Sequence, residues 1–324
     1  MSFWKNLPRP FTCLAPMEDV TDSVFRRLVG ECAAPDVYFT EFTSADGLCS
    51  VGEQYVAHRL SFTTEEQPLV AQIWGNNPEH YVKTCKRLKD MGFKGIDINM
   101  GCPVSKIVKD GACSALIDNP SLAQELYLAA KEGAQDIPVS IKTRLGFRTW
   151  KTHEWASFLL SLEPEVLTIH GRIAKEMSEK PARWDEIAEV VRLRNDMNVS
   201  TLIIGNGDVQ SYEQVQEYHK QYDVDGVMIG RGIFKNLYVF QPNLELQGQS
   251  MQEKLRLLLR HAELHEQYWQ GQKPYRVLKK YFKIYTKGFA RASELRCLMM
   301  ETSSYDELRS LISSWIEAPL AANL

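Results

Sequence analysis

Asn99 and Cys102 mark the most chemically pointed stretch of the chain, Gly95-Ile96-Asp97-Ile98-Asn99-Met100-Gly101-Cys102-Pro103-Val104, where a short apolar run passes straight into a polar, thiol-bearing turn. Ile96 and Ile98 supply β-branched character and the Gly-Cys-Pro step stops the run, so an amide and a thiol should stand at the carboxyl end of a strand. A thiol held there is a candidate for chemistry. Taken alone it reads as a buried structural cysteine, because free Cys packs mostly as a small hydrophobe. What argues for chemistry is the company of similar polar residues at seven other strand ends.

The elements that position this turn are eight short β-rich runs, each followed by a stretch of helical character. They are Thr12 to Ala15, Val37 to Glu41, Leu69 to Ile73, Ile96 to Asn99, Val139 to Lys142, Val166 to His170, Leu202 to Asn206 and Gly226 to Ile229. Stretches between them, such as Glu79 to Met91 and Leu122 to Glu132, carry apolar residues at helical spacing. Strand, loop and helix repeated eight times predict a (β/α)8 TIM barrel. Such a barrel keeps its chemistry at the C-terminal rim. That rim would receive Pro16 and Met17, Glu41, Gln72, Asn99 with Cys102, Lys142 with Arg144, His170 with Arg172, Asn206-Gly207-Asp208, and Gly230-Arg231. Any single one could be a helix cap or a solvated side chain; all eight strand ends sharing the trait is the informative point.

The last two loops read Ile204-Gly205-Asn206-Gly207-Asp208 and Ile229-Gly230-Arg231-Gly232, on the pair of strands where barrels often hold a phosphate. Glycines let backbone N–H groups approach an anion, a following helix adds its positive end, and Arg231 can grip phosphate bidentately. Plain tight turns are the other reading. A phosphate there, with Gln72, Lys142 and His170 across the rim, suits flavin mononucleotide, whose ring edge an amide and an imidazole can match and whose reduced anion a cation stabilises. Arg144, two residues beyond Lys142 on extended chain, falls on the same side, so that one of the two cations can serve the flavin and the other a second anionic partner.

At 324 residues, 44% hydrophobic and 24% charged, the chain can bury a large core. Its formal charge is −3, unevenly spread: residues 250 to 300 hold eleven Lys or Arg against four Asp or Glu, which leaves −10 on the remainder. After residue 235 the strands stop, and helical patterns run over Arg256 to Tyr268, Arg276 to Phe289 and Tyr305 to Trp315. Residues 1–242 are therefore expected to form the barrel and 243–324 a basic helical domain, with Asn243 to Ser250 as linker. The seven cysteines are an odd number behind an N-terminus that is no signal peptide, which fits reduced thiols in the cytoplasm. With no Cys-x-x-Cys pair, no metal site is expected, and no apolar run is long enough to span a membrane.

The residues resemble the transfer-RNA dihydrouridine synthases over nearly the whole chain. The resemblance is carried by Leu14 to Asp22, Thr40-Glu41, Ala71 to Gly75, Asp97-Ile98-Asn99-Met100-Gly101-Cys102-Pro103, Ile141-Lys142-Thr143-Arg144-Leu145-Gly146, Ile169-His170-Gly171-Arg172, Gly205 to Asp208 and Met228 to Gly232. It implies a flavin-dependent, NADPH-fed reduction of uridine to 5,6-dihydrouridine in tRNA. Flavin N5 gives hydride to uracil C6, and Cys102 is the acid that protonates C5. An unperturbed thiol, with pKa near ~8.5, stays protonated at neutral pH and suits that role. By the same resemblance Pro16, Met17, Glu18, Gln72, Lys142, His170, Asn206, Gly207, Asp208, Gly230 and Arg231 contact FMN. Asn99, Arg144 and Arg172 lie on the substrate side, and the helical domain, with Lys279 and Lys280, grips RNA.

The stretch Tyr275-Arg276-Val277-Leu278-Lys279-Lys280-Tyr281-Phe282-Lys283 interleaves aromatics with cations as RNA contacts need; an amphipathic helix with Tyr281 and Phe282 in the core is the alternative. Asp19 stands where the family usually has Gly, Ile173 where Thr is usual, Arg183 where an acid often precedes Trp184, and Cys113 where a Gly or small residue is usual. Other readings are ribosomal RNA as substrate, a flavin barrel acting on a free pyrimidine, and a catalytically silent RNA-binding barrel. The basic appendage counts against the free pyrimidine, and the intact flavin set against silence. A monomer is expected.

Overall fold

A computed structural model describes residues 2–244 and 248–317. Nine strands run in parallel: β1 (Phe11–Leu14), β2 (Val37–Phe39), β3 (Thr43–Ser44), β4 (Leu69–Trp74), β5 (Gly95–Met100), β6 (Val139–Arg144), β7 (Val166–His170), β8 (Leu202–Asn206) and β9 (Gly226–Ile229). They pair in the order β2-β1-β9-β8-β7-β6-β5-β4-β3, and an additional β2–β4 pairing closes the ring. Eight strands thus make the barrel expected from the sequence, and β3 is a two-residue extension beside the end of β4. Nearly every strand residue is buried on both faces, as a parallel sheet wrapped by helices requires.

The register aligns the chemistry-bearing ends. Asn99 pairs with Lys142, Arg144 with His170, and His170 with Asn206. Beneath them the interior is filled by Cys13, Ala15, Phe39, Val70, Val166, Ile204 and Met228. Trp4 packs against Phe11 at a 5.7 Å centroid separation, at the N-terminal end of β1. The helices are set by ordinary local devices. Asn77 and Asn119 each accept backbone N–H bonds at the start of a helix opened by proline, Pro78–Asp90 and Pro120–Ala134.

The molecule divides into two compact units, residues 1–23 with 35–232, and residues 24–34 with 233–324. The first holds the barrel. The second is helical: Met251–Trp269 opens with a Ser250/Glu253 capping box, and Ala292–Glu301 and Tyr305–Glu317 follow. Part of the helix after β1 (Ser23–Ala33) joins this unit, where Phe25 stacks on Tyr281 at 5.2 Å and Glu31 pairs with Arg260. The expected linker, Asn243 to Ser250, includes residues 245–247, which lie outside the described residues.

The long helix expected over Arg276 to Phe289 is not one. A 3-10 segment, Tyr275–Tyr281, runs into a single α-turn, Phe282–Tyr285, and the chain turns at Gly288, φ +77°. Leu278 and Tyr281 are buried three residues apart, the spacing that stacks on one face of a 3-10 helix. Tyr281, Phe282 and Tyr285 are all core residues, so the aromatics of this stretch hold the unit together and the lysines line its outside.

Candidate active site

The Cys102 turn is built by Asn99. Its Oδ1 accepts the backbone N–H groups of Gly101 and Cys102 at 3.0 and 2.9 Å, an Asx turn that bends the chain just past β5. Arg144 pins the same turn from β6, its Nε donating to the Gly101 carbonyl at 3.0 Å. Asn99 is itself held from below. Its Nδ2 donates to Gln72 Oε1 at 3.0 Å, Gln72 Nε2 donates to Asp97 Oδ2 at 2.7 Å, and Ser140 Oγ donates to Asp97 Oδ1 at 2.6 Å. Three strands thus carry an unbroken buried relay ending at the N–H of Cys102. Burial pushes the Asp97 carboxyl up to about 6, against the bonds from Ser140 and Gln72.

The Cys102 thiol is half-buried beside Cys113. A hydrogen bond from Cys113 brings its pKa down to about 7; burial opposes this, and the Val104 N–H and Arg144 add to it. The unperturbed thiol expected from sequence is therefore replaced by an acid poised near neutrality. Cys113 is fully buried and its own pKa is driven up by that burial. Its φ is +54°, and that of Asp19 is +58°. Asp19 stands where glycine is usual in the resemblance and Cys113 where a Gly or small residue is usual, and both keep the left-handed backbone a glycine would take freely.

Lys142 reaches across the rim to Asn206 Oδ1 at 3.2 Å, and Asn206 Nδ2 donates to the Met228 carbonyl at 2.8 Å. Burial lowers the ammonium to about 8, helped by Arg144 and resisted by Asp97 and Cys102. His170 lies among Arg144, Lys142, Arg172 and Arg231, and burial first, then those cations, hold it well below its ordinary value. Its Nε2 is 2.8 Å from Arg172 Nη1, which can only donate, so the neutral ring carries its proton on Nδ1. Arg172 is buried; its Nη2 forks onto both Asp208 oxygens at 2.7 and 2.6 Å. Arg144 is buried as well, and its Nη1 donates to the carbonyls of Ile173 and Met177.

The phosphate-type loops lie where the sequence puts them. Gly207 has φ +134°, and a Cβ there would come within 2.5 Å of the Ala182 methyl and 3.3 Å of the His170 ring. Gly230 leaves open space, the nearest atoms to such a Cβ being Ala15 at 3.5 Å and Met17 Sδ at 3.7 Å. Arg231 is 61% exposed beside Asp208 at 3.7 Å. A single 3-10 turn, Arg231–Phe234, follows β9, so no long helix adds its dipole there. After β1, the Met17 N–H donates to Thr21 Oγ1 at 2.9 Å, Glu18 pairs with Arg59 at 3.0 Å, and the Asp19 N–H donates to Glu41 at 2.6 Å.

This donor set fits a phosphorylated planar ring: Lys142 Nζ, the His170 Nδ1–H and Arg231 face one rim, with glycine backbones between them. Gln72 is wholly buried, with both ends of its amide engaged by Asp97 and Asn99. Lys279 and Lys280 belong to the helical unit. There Lys279 Nζ caps the Met300 carbonyl at 2.5 Å and Lys280 lies 5.1 Å over the Tyr281 ring. Sequence reading passed over Asp97 and Ser140. Their signal was a pair of polar residues inside otherwise apolar strands, in register with Gln72.

A family model described as dihydrouridine synthase (Dus) matches residues 13–319. A "probable tRNA-dihydrouridine synthase 2" of Bacillus subtilis (strain 168) is 46% identical over 319 residues, 97% of this chain and 96% of that protein. A "probable tRNA-dihydrouridine synthase" of Staphylococcus aureus (strain COL) is 44% identical over 319 residues, 97% and 95% of the two chains. Among solved structures, a histamine dehydrogenase from Rhizobium sp. 4-9 superposes with a TM-score of 0.56 at 11% identity, covering 78% of this chain and 48% of that one. An old yellow enzyme homologue from Zymomonas mobilis gives 0.50 at 12% identity, covering 73% and 90%. Both share the barrel fold.

Proposed function

This chain belongs to the dihydrouridine synthase family, and from that premise we propose that it reduces uridines of transfer RNA to 5,6-dihydrouridine, with FMN on the barrel rim and NADPH as reductant. The observation that carries the mechanism is the Cys102 thiol, presented on a turn organised by Asn99, the residue paired in register with Lys142.

Bound flavin mononucleotide supplies the hydride for C6 of the uracil ring; the protein does the rest. Gly207, Gly230 and Arg231 bind its phosphate. Lys142 and the His170 Nδ1–H hold the ring edge, with Asn206 fixing Lys142 in turn and Pro16, Met17 and Glu18 on the adjoining loop. Gln72 serves through Asn99, which it orients. Cys102 delivers the proton to C5, and the Asn99 turn sets its direction. Arg144 and Arg172 act on the substrate side through the loops they clamp, and Asp208 keeps Arg172 in place. A base must leave its stack to reach this slot. Residues 243–324 hold the RNA phosphates meanwhile, with Lys279 and Lys280 among the contacts. Free thiols and an RNA substrate suit a cytoplasmic enzyme working as a monomer.

Replacing Cys102 by Ala tests this. The variant should purify yellow and bleach with NADPH, yet leave uridine in a transfer RNA transcript unreduced by mass spectrometry. Wild-type dihydrouridine yields from Cys102→Ala would remove the thiol from the reaction.

A further inference from the structure

Beside the Cys102 turn lies a cavity of about 560 Å3 that none of the roles above uses. Three rim loops wall it: Pro103 to Lys109 after β5, Phe147 and Arg148 after β6, and Ala174 to Met177 after β7. Its first wall residue, Pro103, follows Cys102 directly. Its volume is in the range of sites that enclose a small molecule.

The walls are preset. Arg144 donates from one buried guanidinium to the carbonyls of Gly101, Ile173 and Met177, tying the loop after β5 to the loop after β7. The Lys175 N–H donates to the Phe147 carbonyl at 2.9 Å, tying the loops after β6 and β7. The lining chemistry is of two kinds. Pro103, Val108 and Phe147 give a half-buried apolar wall with one aromatic ring, and Met177 stands exposed at its edge. Lys109, Arg148 and Lys175 stand exposed around the mouth, and no carboxylate lines it. The Arg148 guanidinium lies 6.0 Å from the centroid of Phe147.

An aromatic floor with cations at the edge matches a nucleotide, base inward on the ring and phosphate outward on the cations. A free carboxylate or inorganic anion would leave the apolar wall unused, and a purely apolar ligand would leave the three cations idle. We infer that this cavity receives the nucleotide adjacent to the target uridine in the RNA strand, stacked on Phe147 with its phosphates on Lys109, Arg148 and Lys175. Holding a neighbour there anchors the backbone one step from the base that faces Cys102, so the flipped base is presented at a fixed depth. The inference rests on the RNA-reducing reading above.

The test compares wild type with Phe147→Ala, Phe147→Trp and the double variant Arg148→Glu/Lys175→Glu, using a transfer RNA transcript and NADPH. Binding of the transcript should weaken about tenfold in Phe147→Ala, as loss of one base stack does. Phe147→Trp should restore it, and the double variant should weaken it with a shallower salt dependence. Flavin content and the rate of flavin bleaching by NADPH should stay at wild-type values. A transcript with an abasic site next to the target uridine should lose a similar factor on wild type and lose nothing further on Phe147→Ala. If the abasic penalty persists in full on Phe147→Ala at both neighbouring positions, the inference is overturned. It is equally overturned if the variants raise the KM for NADPH and leave RNA binding unchanged, which would make the cavity a dinucleotide site. Failure of the parent reading looks different: the wild type itself would form no dihydrouridine in any transcript.

Discussion

The thiol of Cys113 hydrogen-bonds the thiol of Cys102, and this contact is the largest influence lowering the pKa of the proposed proton donor. The two lie eleven positions apart and meet because the one-turn helix Ser105–Lys109 and the turn at Gly111 fold the chain back. The Ser114 N–H reaches the Cys102 carbonyl at 3.3 Å. Cys113 holds this place with a left-handed backbone, which costs a non-glycine residue roughly 1–2 kcal/mol. The surrounding cluster of Phe42, Ile107 and Ala112 buries it there.

Removing the Cys113 thiol should therefore raise the pKa of Cys102 from about 7 toward its ordinary 9.0. The thiolate is the species that reacts with iodoacetamide. The pH midpoint of Cys102 alkylation should shift upward in Cys113→Ala and Cys113→Gly, with Cys113→Gly the more stable of the two because it relieves the backbone. The donor must be protonated, so turnover falls as pH rises through the Cys102 pKa. The alkaline limb of the pH profile should begin near 7 in the wild type and move up in both variants. An unmoved alkylation midpoint would mean that Cys113 leaves the acid untouched.

Asp97 accepts from Gln72 and Ser140 at the foot of the relay. Leucine there would strand the Gln72 NH2 at about 1–3 kcal/mol, and turning Gln72 to escape moves the conflict to Asn99. Asp97→Leu should therefore lower turnover by roughly tenfold or more while flavin bleaching by NADPH survives. Asp97→Asn keeps the relay, its Oδ1 facing Gln72 and its NH2 donating to Ser140 Oγ, whose hydroxyl turns to the Ile96 carbonyl at 3.3 Å. Asp97 also contributes to pH-dependent stability. A carboxyl whose folded value, about 6, exceeds its ordinary 3.8 stabilises the fold below the lower value and loses that contribution as pH rises through 6. Thermal unfolding should show a smaller loss of Tm between pH 5 and 7 in Asp97→Asn than in wild type.

Much of this architecture was readable from residue order. Eight apolar runs alternating with helical stretches, five of them closing on a polar residue, leave few arrangements other than a closed parallel barrel, and Asn99, Cys102, Lys142, His170 and Asn206 do gather at one rim. What could not be read depends on side-chain direction. Arg144 ends β6 and Arg172 follows β7 as expected for substrate contacts, yet both guanidinium groups turn inward to carbonyls and to Asp208. Nor could sequence order show that residues 24–34 pack with the C-terminal helices, since that rests on Phe25 meeting Tyr281 across more than two hundred residues. The 3-10 segment escaped because Leu278 and Tyr281 fit a helical stripe as well as a three-residue one.

Arg231 is the one exposed cation on the proposed phosphate loops, and Asp208 at 3.7 Å is a weak partner that a phosphate would outcompete. Arg231→Ala should lower flavin retention through gel filtration, with roughly a tenfold rise in the flavin dissociation constant. Arg231→Lys should recover part of it. Full flavin content in Arg231→Ala would place the phosphate elsewhere.

Lys279 and Lys280 offer the complementary test in the helical unit. Leu278 and Tyr281 carry the packing of the 3-10 segment, so charge reversal leaves these buried side chains in place and removes the Lys279 bond to the Met300 carbonyl. Lys279→Glu/Lys280→Glu should weaken RNA binding across transcripts of different sequence, because phosphate contacts carry no base information. Each lost contact removes close to one unit from the slope of log affinity against log salt, so the slope should flatten by about two. Flavin content and bleaching by NADPH should match the wild type, since these residues lie outside the barrel unit. An unchanged salt slope would show that RNA crosses the helical unit along another face.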